Sequence, residues 1–239
     1  MERLDKLLAS TGQWSRSQVK ELVRQGRVRV DGIAAGKPEQ KCDPAQTVAV
    51  DGVPVGLQKF VYVMMNKPAG WLSATEDKRQ QTVLDLLDKP LQRRGLFPVG
   101  RLDKDTTGLL LLTDDGELAH RLLAPRSHVD KVYLARVDGR VNEEDAAAFR
   151  AGLVLDDGLE CLPADLQPLE DGSRCLVTLR EGKFHQVKRM LAFRGKPVLE
   201  LKRLSMGPLG LDETLAPGQW RELSEREVEF LRTAVSERN

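Results

Sequence analysis

Leu4, Leu7 and Leu8 recur at i, i+3 and i+4 with Gly12 behind them, which predicts a short amphipathic helix ended by glycine. Ser15-x-x-Gln18 is a capping-box pattern ahead of a second apolar stripe, Val19, Leu22 and Val23, and Gly26 closes that helix. Val28-Arg29-Val30 alternates as a strand and meets the turn pair Asp31-Gly32; Val48-Ala49-Val50 meets a second, Asp51-Gly52. Two helices and a few short strands in under 60 residues make a compact module. The Pro and Gly of Val53-Pro54-Val55-Gly56-Leu57-Gln58-Lys59 read as a linker, so domains over 1–58 and 59–239 are expected.

From Phe60 onward the pattern is mixed. Phe60 to Met65, Phe97 to Gly100, Gly108 to Thr113, Val132 to Val137 and Cys175 to Arg180 read as strands. Thr82 to Leu87 reads as a short capped helix, and Glu117 to Leu123 as a helix stopped by Pro125. Asn142 caps a helix through Ala151, with Glu143 and Glu144 at its positive end. Strands and helices without strict alternation predict an α+β fold: a small αβ module, then a larger domain with a mainly antiparallel sheet flanked by helices.

The chain has 239 residues, 41% hydrophobic and 31% charged, ordinary values for a soluble globular protein. The longest apolar run, Phe60 to Met65, is far short of the ~20 residues of a membrane span. The charged start Met1-Glu2-Arg3-Leu4-Asp5-Lys6 lacks the apolar core of a secretion signal. Cys42, Cys161 and Cys175 are odd in number and widely spaced, which suits a reducing cytoplasm and offers neither a disulfide framework nor a zinc site. Net charge is only +1, yet it is unevenly laid out. Arg16 to Arg29 holds five bases against one acid, Arg180 to Arg203 eight against two, and Glu143 to Asp171 nine acids against one base. Arg16, Lys20 and Arg24, four apart, put three cations on one helix flank, a layout suited to phosphate oxygens as well as to plain solvation.

The candidate for chemistry is Gly100-Arg101-Leu102-Asp103-Lys104-Asp105-Thr106-Thr107-Gly108, a polar loop between two apolar strands. On its own it also reads as a turn whose Asp and Thr side chains bind local amides. Its Asp-x-Asp-x-Thr string fits the nucleophile loop of haloacid-dehalogenase-like phosphatases, though the preceding residues are not the expected unbroken apolar strand. The longer string Gly-Arg-Leu-Asp-x-Asp-Thr-Thr-Gly-Leu-Leu-Leu-Leu-Thr closely resembles the active-site loop of pseudouridine synthases of the small-subunit ribosomal type. Asn66-Lys67-Pro68-Ala69-Gly70, Lys131-Val132-Tyr133 and Glu181-Gly182-Lys183-Phe184-His185-Gln186-Val187-Lys188-Arg189-Met190 resemble three further motifs of that family, in order. Arg3-Leu4-Asp5-Lys6, Ser15-Arg16 and Gln25 to Gly32 resemble the small RNA-binding module named after ribosomal protein S-four.

The resemblance implies a pseudouridine synthase fold behind an RNA-binding module, and an isomerase that needs no cofactor or metal. It assigns Asp103 as the essential carboxylate, acting as nucleophile or as base, and Tyr133 as the ring that stacks on the flipped base. On a helix counted from Phe184, the residues Phe184, Val187, Met190 and Leu191 share an apolar arc with Lys188 at its edge and Arg189 nearly opposite. Lys188 is therefore expected half-buried and paired with Asp103, while Arg189, Lys183 and Arg194 face RNA phosphate. RNA contacts are further expected at Arg3, Lys6, Ser15, Arg16, Lys20, Arg24, Arg27 and Arg101. The implied partner is ribosomal RNA or a pre-ribosomal particle in the cytoplasm, with no membrane and no obligate protein partner. The wording of the last motif favours 16S over 23S RNA; a non-enzymatic RNA-binding or assembly factor is the remaining alternative.

Overall fold

The structure is a computed structural model and describes residues 1–43, 45–57, 59–124, 127, 129–169 and 171–236. Gln58, the expected end of the first domain, and Pro125, the proposed helix stop, lie outside the described residues. The chain forms two compact units, Met1–Val61 with Leu87–Leu96, and Tyr62–Leu86 with Phe97–Asn239.

In the smaller unit, the helices Leu4–Ser10 and Arg16–Arg24 lie where the stripes put them. The capping box at Ser15 is complete: Ser15 Oγ accepts from Gln18 N (3.3 Å) while Gln18 Oε1 accepts from Ser15 N (2.7 Å). A four-stranded antiparallel sheet runs Ile33–Ala34, Val28–Val30, Val48–Val50, Val53–Val55. Its Asp-Gly turns have positive φ at both residues, 49° and 80° at Asp31-Gly32 and 53° and 79° at Asp51-Gly52, the geometry a two-residue hairpin requires. Val53–Val55 is thus a strand, not a linker: Pro54 sits opposite Ala49 on the edge strand, where a missing N–H costs no ladder bond. The core is Leu4, Leu8, Val19, Val28, Cys42 and Val48, packed with Val50 and Val23. Gly12 has φ +76°, and a Cβ there would lie 1.9 Å from the Pro90 carbonyl oxygen, so only glycine lets the short helix Lys89–Arg93 approach.

The larger unit is built on a nine-stranded sheet whose main order is Asp165–Leu169, Arg174–Leu179, Lys131–Val137, Val198–Met206, Thr107–Thr113, Tyr62–Lys67, Trp220–Glu222. Every pairing is antiparallel except that of Val198–Met206 with Thr107–Thr113. Phe97–Val99 adds to Thr107–Thr113, so the polar loop 100–106 joins two paired strands as the pattern predicts. Helices Gly116–Leu123, Glu143–Ala151, Gln186–Phe193 and Glu225–Ser236 accompany the sheet. Asn142 caps as expected, accepting from Glu144 N and Asp145 N. The segment 83–86 is a single 3-10 turn rather than an α-helix. Among the described residues no helix is long and apolar enough to cross a membrane.

Candidate active site

The loop 100–106 is held from below by buried polar side chains. Lys67, fully buried at the end of its strand, donates to the carbonyls of Pro68 (3.1 Å), Lys104 (3.2 Å) and Thr106 (2.8 Å). Burial pushes its pKa down to about 8, against the opposing pull of Asp105 and Asp103. Ser73 Oγ donates to Leu102 O (2.9 Å) and accepts from Leu102 N (3.1 Å). The buried Arg203 donates to Leu109 O (2.8 Å) and Gly100 O (3.3 Å), one bond at each end of the loop. Gly108 has φ +95°, and a Cβ there would stand 2.2 Å from Arg203 O; the glycine of the loop motif is what lets the two parallel strands meet.

On this base Asp103 presents a carboxylate that is partly desolvated, its side chain 24% exposed. Lys188 Nζ lies 2.9 Å from Asp103 Oδ2, and His185 Nε2 lies 3.3 Å from Oδ1. Thr106 Oγ1 donates to Oδ2 at 3.4 Å. The half-buried Lys188 is where the helix phase put it, but it has two partners: Asp105 Oδ1 is closer still, at 2.6 Å. Burial works against the charge on Lys188, and the hydrogen bonds to Asp105 and Asp103 outweigh it, leaving its pKa raised. The hydrogen bond from Lys188 in turn lowers the pKa of Asp105. Asp103 and the buried Tyr133 line one open cleft, together with Arg101, Lys183, His185 and Leu201. The other tyrosine, Tyr62, is buried and donates to Asp115 Oδ2 at 2.7 Å.

The apolar arc needs correction at its start. The helix is Gln186–Phe193, with Val187, Met190 and Leu191 buried, and Phe184 precedes it, 75% exposed. His185, the N-cap, has φ 51° and turns the chain before the helix begins, so a helical phase cannot be carried back to Phe184. Arg194 donates to the buried Asp145 at 2.9 Å. Arg189 is paired with Asp157 (2.5 Å), and Lys183 with Glu181 (3.2 Å) and the Glu160 carbonyl. In the smaller unit Arg3 grips Asp5 with two nitrogens (3.0 and 2.9 Å), Lys6 meets Glu2 (3.0 Å), and Arg27 grips Asp51 (2.7 and 2.6 Å). Arg24 reaches Glu21 at 3.5 Å, whereas Arg16 and Lys20 make no ion pair among the described residues. Ser15 is committed to its cap.

Sequence reasoning quoted His185 and Lys67 within motifs without giving them roles. It missed Arg203, which sits in a strand that it did not read. Among the described residues no cluster of three or more His, Cys, Asp or Glu is placed to hold a metal ion.

Comparison with known proteins places this geometry. Residues 61–193, which contain Asp103, Tyr133 and Lys188, match the family described as RNA pseudouridylate synthase, and residues 2–48 match the S4 domain. An uncharacterised RNA pseudouridine synthase of Bacillus subtilis is 48% identical over 233 residues, 96% of this chain and 98% of its own. The ribosomal small subunit pseudouridine synthase A of Escherichia coli is 39% identical over 227 residues, 95% of this chain and 98% of its own. A crystal structure of a pseudouridylate synthase, 35% identical, aligns with 97% of this chain and all of its own at a TM-score of 0.69. The four motifs, the sheet that brings them together and these likenesses agree: the chain belongs to the RNA pseudouridylate synthase family.

Proposed function

We propose that this protein isomerises a uridine to pseudouridine in 16S ribosomal RNA, working in the cytoplasm on the RNA or on a pre-ribosomal particle. The observation that carries the reading is the family match over residues 61–193, which takes in a loop carboxylate, a cation on it and a tyrosine in the same cleft. The small-subunit assignment is supported by the near full-length likeness to ribosomal small subunit pseudouridine synthase A of Escherichia coli and of Salmonella typhimurium, the latter 41% identical. The same match favours this reading over the aspartate phosphatase one.

The reaction breaks the bond from uracil N1 to ribose C1′, turns the base, and forms a bond from C5 to C1′; the hydrogen lost from C5 is balanced by one gained at N1. Asp103 serves it as an ionised carboxylate, whether as nucleophile or as base. Lys188 is its counter-ion, and Thr106 and His185 fix its orientation. Tyr133 offers its ring to the extruded uracil, which must leave its stack to reach Asp103. Arg101, Lys183 and Arg189 meet phosphate near the cleft; Arg16, Lys20 and Arg24, with Arg3, Lys6 and Arg27 beside them, do so on the S4 domain. The domain over 1–58 supplies affinity and the domain over 59–239 supplies chemistry. The test is to map pseudouridines in ribosomal RNA from cells with and without the protein. Loss of one 16S site is expected; loss of a 23S site instead would reassign the substrate, and no change at all would overturn the reading.

A further inference from the structure

Phe184 is a large apolar side chain left 75% exposed. It is nevertheless anchored: its ring stacks on the imidazole of His185, centroids 3.8 Å apart and planes 20° from parallel. The imidazole edge meets Asp103, with Nε2 3.3 Å from Oδ1. Two stacked rings therefore stand at the mouth of the cleft, the inner one on the carboxylate and the outer one open to solvent.

The backbone is bent to keep them there. His185 is in the left-handed region, which residues other than glycine adopt only when their surroundings enforce it. The enforcement is visible in the hydrogen bonds around it. Gln186 Oε1 accepts from Lys183 N (3.0 Å), and Gln186 Nε2 donates to the buried Glu181 (2.5 Å). Glu181 also accepts from Leu162 N (2.9 Å), and the Lys183 ammonium reaches Glu181 and the Glu160 carbonyl. Only 5% of the residues are aromatic, and this loop spends one of them on the surface. Arg101 and Lys183 also line the cleft and bring positive charge suited to the phosphates that flank a base.

We propose that the Phe184–His185 stack is a docking platform for an unpaired base of the substrate RNA, the neighbour of the uridine drawn into the cleft. The inference rests on the reading of the protein as an RNA-modifying enzyme. Extruding a uridine unstacks the base beside it, and an exposed aromatic face replaces the lost stacking whatever that base is. Stacking of this kind uses the π-face and no hydrogen-bond code, so it adds affinity and register without sequence preference.

The test uses the full-length protein, an unmodified 16S transcript as probe, and Phe184→Ala, Phe184→Leu, Phe184→Tyr and Phe184→Trp. Thermal midpoints should stay unchanged, since the ring is exposed. Phe184→Ala and Phe184→Leu are expected to lose roughly ten-fold in affinity, while Phe184→Tyr and Phe184→Trp stay near wild type. The salt slope of binding should not move, because no charge is removed. The added indole of Phe184→Trp should be quenched by the transcript beyond the quenching seen in the wild type. Equal affinity for Phe184→Ala and wild type, or a Phe184→Leu variant as good as Phe184→Tyr, would overturn the platform. Wild-type protein that binds the transcript but forms no pseudouridine would overturn the functional reading alone, because the binding series still judges the stack. Failure to bind any RNA would overturn both.

Discussion

Lys188 shows what a single residue must satisfy. A half-buried ammonium needs partners to offset its lost hydration, and here it has two carboxylates, Asp103 and Asp105. Replacing Asp103 by Asn keeps the shape and removes the charge. Asp103→Asn is expected to bind RNA normally with turnover below roughly one percent of wild type, about 2.7 kcal/mol of barrier. Single-turnover assays beside an affinity measurement check it. Lys188→Met leaves two carboxylates facing each other without their cation, so turnover should fall more than affinity does. Lys188→Arg should keep part of the rate, since the charge survives with an altered geometry. Arg189→Met frees Asp157 from its partner and should do the reverse, weakening RNA binding more than chemistry. If Arg189→Met damaged turnover while Lys188→Met only weakened binding, the two roles would have to be exchanged. The side of Lys188 was legible from Val187, Met190 and Leu191, whose spacing fixes the helix phase. Its second partner was not: the resemblance singled out Asp103, and only the folded loop brings Asp105 onto the same ammonium.

Elements whose logic is local were legible from end to end. Ser15 with Gln18 and Asn142 both cap as their short-range patterns require, and both Asp-Gly pairs make the hairpins expected of them. Val53–Val55 was misread because proline marks a linker and an edge strand equally well, and strand order decides which. Val198–Met206 escaped for a different reason. Its alternation is broken by Lys202-Arg203, where the arginine points inward, and its pairing with Lys131–Val137 shifts register between Val132 and Tyr133. The helix Arg16–Arg24 buries Val19, Leu22 and Val23 and leaves its cations outside, so charge can be altered there without disturbing the core. Arg16→Glu, Lys20→Glu and Arg24→Glu together are expected to weaken RNA binding and to shrink the log–log salt slope by about 0.7–0.9 for each phosphate no longer neutralised. The rate at saturating RNA should not change. An unchanged slope would show that this helix is a structural cap only.

At the scale of the molecule, the stability of the larger unit should carry the signature of its buried charges. On the acid side, Arg221 holds Glu227 down to about 2, tying the helix Glu225–Ser236 to the strand Trp220–Glu222. That contribution is present above the ordinary carboxylate value of 4.5 and is lost as pH falls through about 2. The alkaline side is less usual. Lys67 and Lys131 are buried cations whose hydrogen-bond partners are backbone carbonyls, and burial brings each to about 8 from 10.5. Between those values the unfolded chain binds more protons than the folded one, so stability rises with pH. Each lysine contributes at most on the order of 3 kcal/mol to that rise. Two groups oppose it: burial lifts Cys175 from 9.0 to about 11, and burial with the Asp115 hydrogen bond lifts Tyr62 from 10.0 to about 12. Their stabilisation is lost as pH climbs through those raised values. The clearest window is therefore pH 8 to 9, before the thiol begins to count. Urea midpoints measured across it should increase for the wild type. Lys131→Met should flatten the increase by about half, since its apolar chain keeps the packing and removes the titration, with one carbonyl, Val129 O, losing its donor. Lys67→Met should flatten it equally but at a lower midpoint throughout, because the carbonyls of Pro68 and Thr106 then lose their donor, which costs roughly 1–3 kcal/mol for each group left unpaired, while Lys104 O keeps its bond from Gly70 N. A wild-type midpoint that fell from pH 8 to 9, or one that rose equally in both variants, would show that these lysines keep their ordinary protonation and that the loop under Asp103 is braced without the electrostatic cost argued here.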